Sequence, residues 1–355
     1  MSRPRVLFVG PTRYALPLSP GLERKWSAIE QQLEVKVLAR LSTPCYKIDD
    51  RFELVEGSFY GSLPLRVRRA VGAFRPQAIV AEDLRTASLA MAAWTGVPVI
   101  AEVHGNWRHS TRLYGSPARR ALSPVVDRLD DYAVRHADAV RALSGYTAGL
   151  VEQARGRPPD AVFPTYSDLS AFTVHPVEPV PEQPAALFVG VLEPYKNVVG
   201  LAEAWRLAAP RVRGARLVVV GKGSQRSVIE DRADEYFEEL TPGEIAGKLD
   251  ESTVLVLPSR YEGLGRVVIE AFARGRGVVA SRAGGILDLV DDGVQGLLVD
   301  SEQTQELADA LVRVLSDRAL AERLGAAAHA RFPQWNQTPD EFAARLRALV
   351  DTVLN

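Results

Sequence analysis

Short apolar runs that close on Gly, Ser, Pro or a charge recur along the chain. RVLFVG (5–10), VKVLAR (35–40), AIVAED (78–83), VPVIAEVHG (97–105) and AVRALS (139–144) come first. ALFVG (186–190), RLVVVG (216–221), VLVLPS (254–259), GVVASR (277–282) and GLLVD (296–300) follow. Between most of them lie amphipathic stretches, at 118–136, 197–209, 303–315 and 318–331. Buried strands alternating with amphipathic helices predict α/β architecture with parallel sheets built of βαβ units. VLFVG at 6–10 and LFVG at 187–190 are near copies that open the two halves, which fits two similarly wound domains. The pattern also predicts a helix over 338–354, with Thr338 as N-cap and Pro339 at the first helical position.

A chain of 355 residues exceeds a single typical core. The natural place to divide it is HPVEPVPEQPAA (175–186), whose four prolines bar both helix interior and central strand. The expected domains are 1–175 and 187–337, with 176–186 as linker and 338–355 as a C-terminal helix. In open α/β sheets, ligands sit beyond the carboxyl ends of the strands. The default site is then a cleft where two such sets of strand ends face each other.

Composition adds little, since 46% hydrophobic and 25% charged residues are ordinary for a globular protein. Cys45 is the single cysteine, so no internal disulfide can form and a reducing compartment is expected. The opening apolar run is too short for a signal peptide or a span, which predicts a cytoplasmic protein. Charge is more informative. The net value of −1 hides 23 Lys/Arg against 17 Asp/Glu in residues 1–175 and 20 against 27 in the rest. Two stretches of the first half, 63–76 and 112–129, are basic and apolar together. They read either as a solvated arginine face or as a surface for anionic lipid or an anionic acceptor at the inner face of a membrane. No nucleic-acid partner is expected.

Several motifs are missing. Gly10 ends the first run, but GPTRYALPLSP does not supply the nicotinamide-binding glycine fingerprint, and GKG at 221–223 has only two glycines. No Walker A sequence and no D-x-D occurs, so no cofactor and no metal site is expected. What stands out is SRYEGLGRVVIEAFARG (259–275), where a buried run leads into two glycines flanked by acids eight residues apart. Gly263 and Gly265 let backbone amides approach a ligand, and the following helix start adds partial positive charge. That combination suits a diphosphate. Glu270, among apolar neighbours, could accept bonds from vicinal ribose hydroxyls, and Glu262 from a sugar. The plainer reading makes Glu262 a helix cap and Glu270 a partnered buried acid.

PSRYEGLGRVVIEAFARGRGVVASRAGGILDLV resembles the donor-binding segment of the retaining glycosyltransferases of family 4, which have the GT-B fold. Glu262, Gly263, Gly265, Glu270, Gly284 and Gly285 match that signature. ADAVRALSGYTAGL (137–150), FPTYSDLSAF (163–172) and LFVGVLEPYKN (187–197) extend the likeness over nearly the whole chain. The resemblance implies two Rossmann-like domains facing across a cleft, with the C-terminal helix crossing back to the first. It implies a nucleoside-diphosphate sugar as donor and co-substrate, and a sugar, lipid-linked or small-molecule acceptor. Donor contacts would come from Gly190, Lys196, Gly221, Glu262, Gly263, Leu264, Gly265, Arg266 and Glu270. His104, Glu262 and Lys196 would serve the transfer itself, with His104 facing the donor sugar. Closure about the linker would exclude water.

The chain departs from the pattern in places. Val191 stands where the family usually has an arginine against phosphate, leaving Arg260, Arg266 and Arg282 as cations near in sequence. Thr165-Tyr166 replaces Asn-Gly, and Gly275-Arg276-Gly277 replaces Gly-Lys-Pro. The alternatives are a nucleotide-sugar epimerase, a sugar phosphorylase and a non-catalytic nucleotide-sugar-binding protein. A nucleobase pocket is expected near 221–245.

Overall fold

The computed structural model describes residues 3–42, 49–108 and 123–354. Cys45 and the 112–122 part of the second basic stretch lie outside the described residues. The chain divides into two compact units, one formed by residues up to Asp168 together with those from Gln337 onward, the other by Leu169–Asn336.

The first unit is built on strands β1 (Arg5–Tyr14), β2 (Glu34–Leu41), β3 (Phe52–Val55), β4 (Ala78–Ala81), β5 (Val99–Val103), β6 (Ala139–Ala142) and β7 (Ala161–Val162). They form one parallel sheet in the order β3-β2-β1-β4-β5-β6-β7. Its faces are covered by different helices. Helices α1 (Pro20–Gln32), α2 (Leu63–Phe74), α3 (Leu84–Met91), α4 (Ser123–His136) and α5 (Gly145–Arg155) follow successive strands. Helices α2 to α5 pack on one face through Val67, Leu84, Val134 and Val151. On the other face, Trp26 and Ile29 of α1 join Phe342 and Leu346 from the end of the chain. Trp26 is the hub there, with Phe8 at 5.2 Å and Phe52 at 5.6 Å between ring centroids, both edge-on.

The second unit repeats the winding. Its strands are β8 (Ala185–Val189), β9 (Arg216–Val220), β10 (Glu235–Phe237), β11 (Val254–Leu257), β12 (Gly277–Ser281) and β13 (Gly296–Val299). They run parallel in the order β10-β9-β8-β11-β12-β13. Counted from its own first strand, each sheet reads 3-2-1-4-5-6, the dinucleotide-fold order, with a seventh strand added at the edge of the first sheet, and the two near-copy runs are the two central first strands. The helices are α6 (Val198–Ala208), α7 (Pro242–Asp250), α8 (Arg266–Ala273), α9 (Thr304–Ser316) and α10 (Arg318–Arg331). Helix α11 (Pro339–Leu354) returns to the first unit. It starts as its sequence predicts, with Thr338 Oγ1 accepting from the Glu341 amide at 3.2 Å and Glu341 Oε2 accepting from the Thr338 amide at 2.8 Å.

Two expectations need revision. Strands β3, β7 and β10 were not foreseen; each is a sheet edge, paired on one side and only partly buried, so it lacks the continuous apolar run of a central strand. The proline-rich segment at 176–186 is not a free linker. Arg274 Nη1 donates to the His175 carbonyl at 2.8 Å and Arg274 Nη2 to that of Pro176 at 2.7 Å. Arg276 Nη1 reaches the Glu178 carbonyl at 2.8 Å and Nη2 that of Pro179 at 3.0 Å. Both guanidiniums are buried, and Asp250 balances Arg274 at 2.8 Å. A Cβ on Gly275 would sit 2.5 Å from Val177 Cγ1, so that glycine seats the strap between the two arginines. The division falls earlier, after Asp168, and a strapped segment is a poor hinge.

Candidate functional site

The loops that follow β8, β9, β11 and β12 converge because their backbones come closer than side chains allow. Gly221 has φ +152°, and a Cβ there would lie 1.8 Å from the Gly190 carbonyl oxygen. A Cβ on Gly284 would lie 2.0 Å from the Glu262 carbonyl oxygen, and one on Gly285 would lie 2.2 Å from that of Gly263. The Gly285 amide donates to the Glu262 carbonyl at 3.0 Å. The Gly-Gly pair thus braces the glycine loop from below. Gly265, at φ +88°, makes the turn into α8.

The loops after β8 and β11, with the starts of α7 and α8, line a cavity of about 530 Å³. Gly190, Lys196, Glu262, Gly265, Arg266 and Glu270 all line it. Its charges are paired with each other. Lys196 Nζ bonds Glu262 Oε1, which also accepts from Ser259 Oγ at 2.9 Å. Arg266 Nε bonds Glu270 Oε1 at 2.7 Å, one helical turn away. Glu270 is only 4% exposed, and burial pushes its carboxyl above the usual range while Arg266 partly opposes this. Lys196 is aimed by Asn197, which takes φ +55° and donates its side-chain amide to the Ser301 carbonyl at 2.7 Å.

Sequence reading and structure agree on this group, with exceptions. Gly221 lies beneath Gly190 and Leu264 packs partly on the core; neither lines the cavity, nor does Gly263. Of the three cations considered beside Val191, only Arg266 lines it. Arg260 is held by Glu302 at 2.6 Å and by the Pro194 carbonyl at 2.9 Å, and Arg282 by Asp292 at 2.7 Å. The apolar part of the wall comes from Phe172, Tyr195, Pro242 and Ile245. Pro242 and Ile245, from the start of α7, fall where a nucleobase pocket was expected. Phe172 and Tyr195 were missed, because each sits in a single short helical turn, too brief for a periodic signal.

The strand ends of the first unit hold a second charged group. His104 follows β5, with its side chain 43% exposed. Its Nε2 lies 3.2 Å from Glu102 Oε2, which also pairs with Arg141 Nη2 at 3.0 Å. Arg141 is fully buried, its guanidinium 4.5 Å from the Phe163 ring centroid and 5.6 Å from that of Phe342. Burial would raise the Glu102 carboxyl, but Arg141 and His104 hold it down at about 2. Glu82 folds over Gly10, where a Cβ would lie 1.8 Å from Glu82 Oε2. Gly10 therefore makes room for a carboxylate and has no need of a phosphate. Burial, only partly offset by Lys25 and Thr12, pushes Glu82 upward.

Helix α4 is inverted relative to an ordinary surface helix. Asp127 and Asp130 face inward at 8% and 3% exposure, whereas Val125, Leu129 and Tyr132 face outward at 55%, 41% and 51%. Arg128, Arg135 and His136 are exposed beside them. Burial and the neighbouring acids Asp83, Asp127 and Asp131 push Asp130 up to about 7 against the pull of Arg85. On α2, Leu65, Arg68 and Arg69 are exposed. Among the described residues, no helix is long and apolar enough to cross a membrane, and no cluster of His, Cys, Asp and Glu could hold a metal ion.

A family model described as glycosyl transferases group 1 matches residues 173–331, and one described as a glycosyl transferase 4-like domain matches residues 12–165. The alpha-D-kanosaminyltransferase of Streptomyces kanamyceticus is 29% identical over 252 residues, 64% of each chain. This chain thus matches a little under two thirds of that relative's length. Sucrose-phosphate synthase from Thermosynechococcus elongatus has a TM-score of 0.77 at 18% identity, over 99% of both chains. HepE from Anabaena, solved with UDP-glucose, has a TM-score of 0.71 at 18% identity, again over 99% of both. At such identities the structural likeness concerns the fold.

Proposed function

The chain belongs to the group 1 glycosyl transferases, family 4 with the GT-B fold, and from that premise we propose a retaining glycosyltransferase using a nucleoside-diphosphate sugar. One observation carries the reading: two cations and two carboxylates, Lys196, Arg266, Glu262 and Glu270, line one cavity beside a glycine loop and a helix start. In this reading the diphosphate takes Lys196 and the backbone amides of Gly265 and Arg266, displacing Glu262 from Lys196. Glu262 then turns to the hydroxyls of the transferred sugar, and Glu270 to those of the ribose. His104 is proposed to contact the transferred sugar, as the family resemblance implies.

Transfer breaks the bond from the anomeric carbon to the β-phosphate oxygen. A bond from the acceptor oxygen forms on the same face, and the acceptor proton passes to the leaving phosphate. The charge growing on that phosphate is what Lys196 and the amides stabilise, at roughly 3 kcal/mol per well-placed donor. No metal takes part in this proposal, because the charge neutralisation is assigned to the protein.

The acceptor is a hydroxyl compound. The outward apolar and cationic faces of α4 and α2 favour one carried on an anionic membrane, with the protein peripheral at the cytoplasmic face. Salt-sensitive binding to vesicles containing phosphatidylglycerol is the expected result; absence of binding at low salt removes the membrane from the reading.

The first test is thermal stabilisation by UDP, GDP, ADP, TDP and CMP, with Glu270→Ala as control. A ligand at 100 times its dissociation constant adds about 2.7 kcal/mol. A shift with one diphosphate that is lost in the variant is the expected outcome. No shift with any of them, in folded protein, overturns the reading.

A further inference from the structure

VPVIAEVHG contains a charge that the proposed function does not use. Glu102 lies inside an otherwise apolar strand, two residues before His104, so both side chains leave the same face of β5 and its extension. A carboxylate so placed is costly unless paired. Its partner is Arg141 of the adjacent strand, opposite Glu102 in the register. Arg141 is immobilised between the rings of Phe163 and Phe342 and donates from Nη2 to Thr165 Oγ1 at 3.2 Å. Its Nε and Nη1 have no hydrogen-bond partner among the described residues, so the guanidinium is directed at Glu102 and Thr165 alone.

We propose that Glu102, locked by Arg141, is a positioning residue that fixes His104 as its Nε2–H tautomer and leaves Nδ1 as the open acceptor. The step is one of hydrogen-bond polarity. An ionised carboxylate only accepts, so the ring nitrogen 3.2 Å from Glu102 Oε2 must donate. The neutral ring then carries its lone pair on Nδ1, which has no partner among the described residues. Arg141 matters because it keeps Glu102 ionised in a buried place; a protonated carboxyl would donate to Nε2 and reverse the tautomer. Lys25 and Glu82 are the other charged groups bearing on Glu102 or His104. For a bound sugar, the consequence is that His104 accepts from a hydroxyl and does not donate to one.

The catalytic part rests on the proposed transferase reading; the tautomer does not. The test is the long-range proton–nitrogen correlation spectrum of the His104 ring in the full chain, with His104→Gln identifying its signal. Wild type is expected to show the proton on Nε2. In Glu102→Gln the amide oxygen is expected to take the place of Oε2, the atom that faces both Arg141 and the ring, so the Nε2–H signature stays. Glu102→Asp, which keeps the charge, is also expected to retain it. Glu102→Leu removes the acceptor, and the ring is then expected to show a mixture of the Nε2–H and Nδ1–H forms. With the donor and acceptor of the reaction, kcat of Glu102→Leu is expected to fall about 10- to 100-fold with little change in nucleoside-diphosphate affinity. A wild-type ring protonated on Nδ1 overturns the proposal whatever the variants do, as does an unchanged ring in folded Glu102→Leu. If no sugar is transferred by wild type, the transferase reading fails while the spectrum still decides the tautomer.

Discussion

The two units share one strand order yet use their strand ends differently. In the first, Arg141, Glu102 and their aromatic neighbours close on one another, and the arginine has no exposure at all. In the second, Lys196–Glu262 and Arg266–Glu270 line an open cavity, where the Arg266 side chain is 59% exposed. The first pair lies within the last residues of two adjacent parallel strands, the second group in the loops and helix start that follow such strands. Burial decides what each can do. A pair sealed on all sides is a fixed part, whereas a pair facing a cavity can exchange its partner for a ligand.

That contrast predicts that similar deletions have opposite readouts. Arg141→Ala strands the Glu102 carboxylate in the core and is expected to lose about 3–5 kcal/mol of stability in urea unfolding. Lys196→Ala leaves Glu262 with Ser259 and an open cavity, so a smaller loss, about 1–2 kcal/mol, is expected, together with a fall in kcat/KM of roughly 10²- to 10³-fold. Equal stability losses in the two variants would erase the distinction.

A smaller effect concerns the acids behind α4. Asp130 titrates near 7 in the folded protein against an ordinary value of 3.8, so the folded state holds its proton more tightly. Its contribution to stability is therefore complete below pH 4 and lost as pH rises through about 7. Allowing for partial solvent contact, about 2–3 kcal/mol is at stake, and Asp130→Asn should flatten this part of the pH–stability curve. A curve of unchanged slope would show that Asp130 is adequately paired. The smallest expected change is at Ser259. Removing its hydroxyl from Glu262 in Ser259→Ala should alter donor affinity by about 1 kcal/mol, read as a shift in dissociation constant.

How legible each group was follows from its distribution along the chain. The second unit's site was readable because Glu262, the glycines, Arg266 and Glu270 fall within one strand–loop–helix segment. Their spacing encodes a helical turn and a close backbone approach. The first unit's group draws on Lys25, Glu82, Glu102 and Arg141, each from a different part of the chain. The sequence reading singled out His104 beside them but not Glu102 or Arg141. The strap of Arg274 and Arg276 was invisible for another reason: its acceptors are backbone carbonyls, which every sequence possesses. Three of the four edge strands escaped because they are only partly buried and need no apolar run; β13, an edge strand buried along its length, announced itself as the central strands did.

The return of α11 to the first sheet bears on the order in which the protein can be made. The second unit is continuous in the chain and can fold as soon as it has been synthesised. The first cannot: Phe342, Ala343, Leu346, Leu349 and Val350, which cover Trp26, Phe163 and their neighbours, come after the whole of Leu169–Asn336. At ribosomal rates of about 5–20 residues per second, that delay is on the order of 10 s. Throughout it, the part of one face of the nascent first sheet that α1 does not cover stays open to chaperones. Translation pauses between 169 and 336 should therefore lower the yield of this protein more than pauses before 169 do.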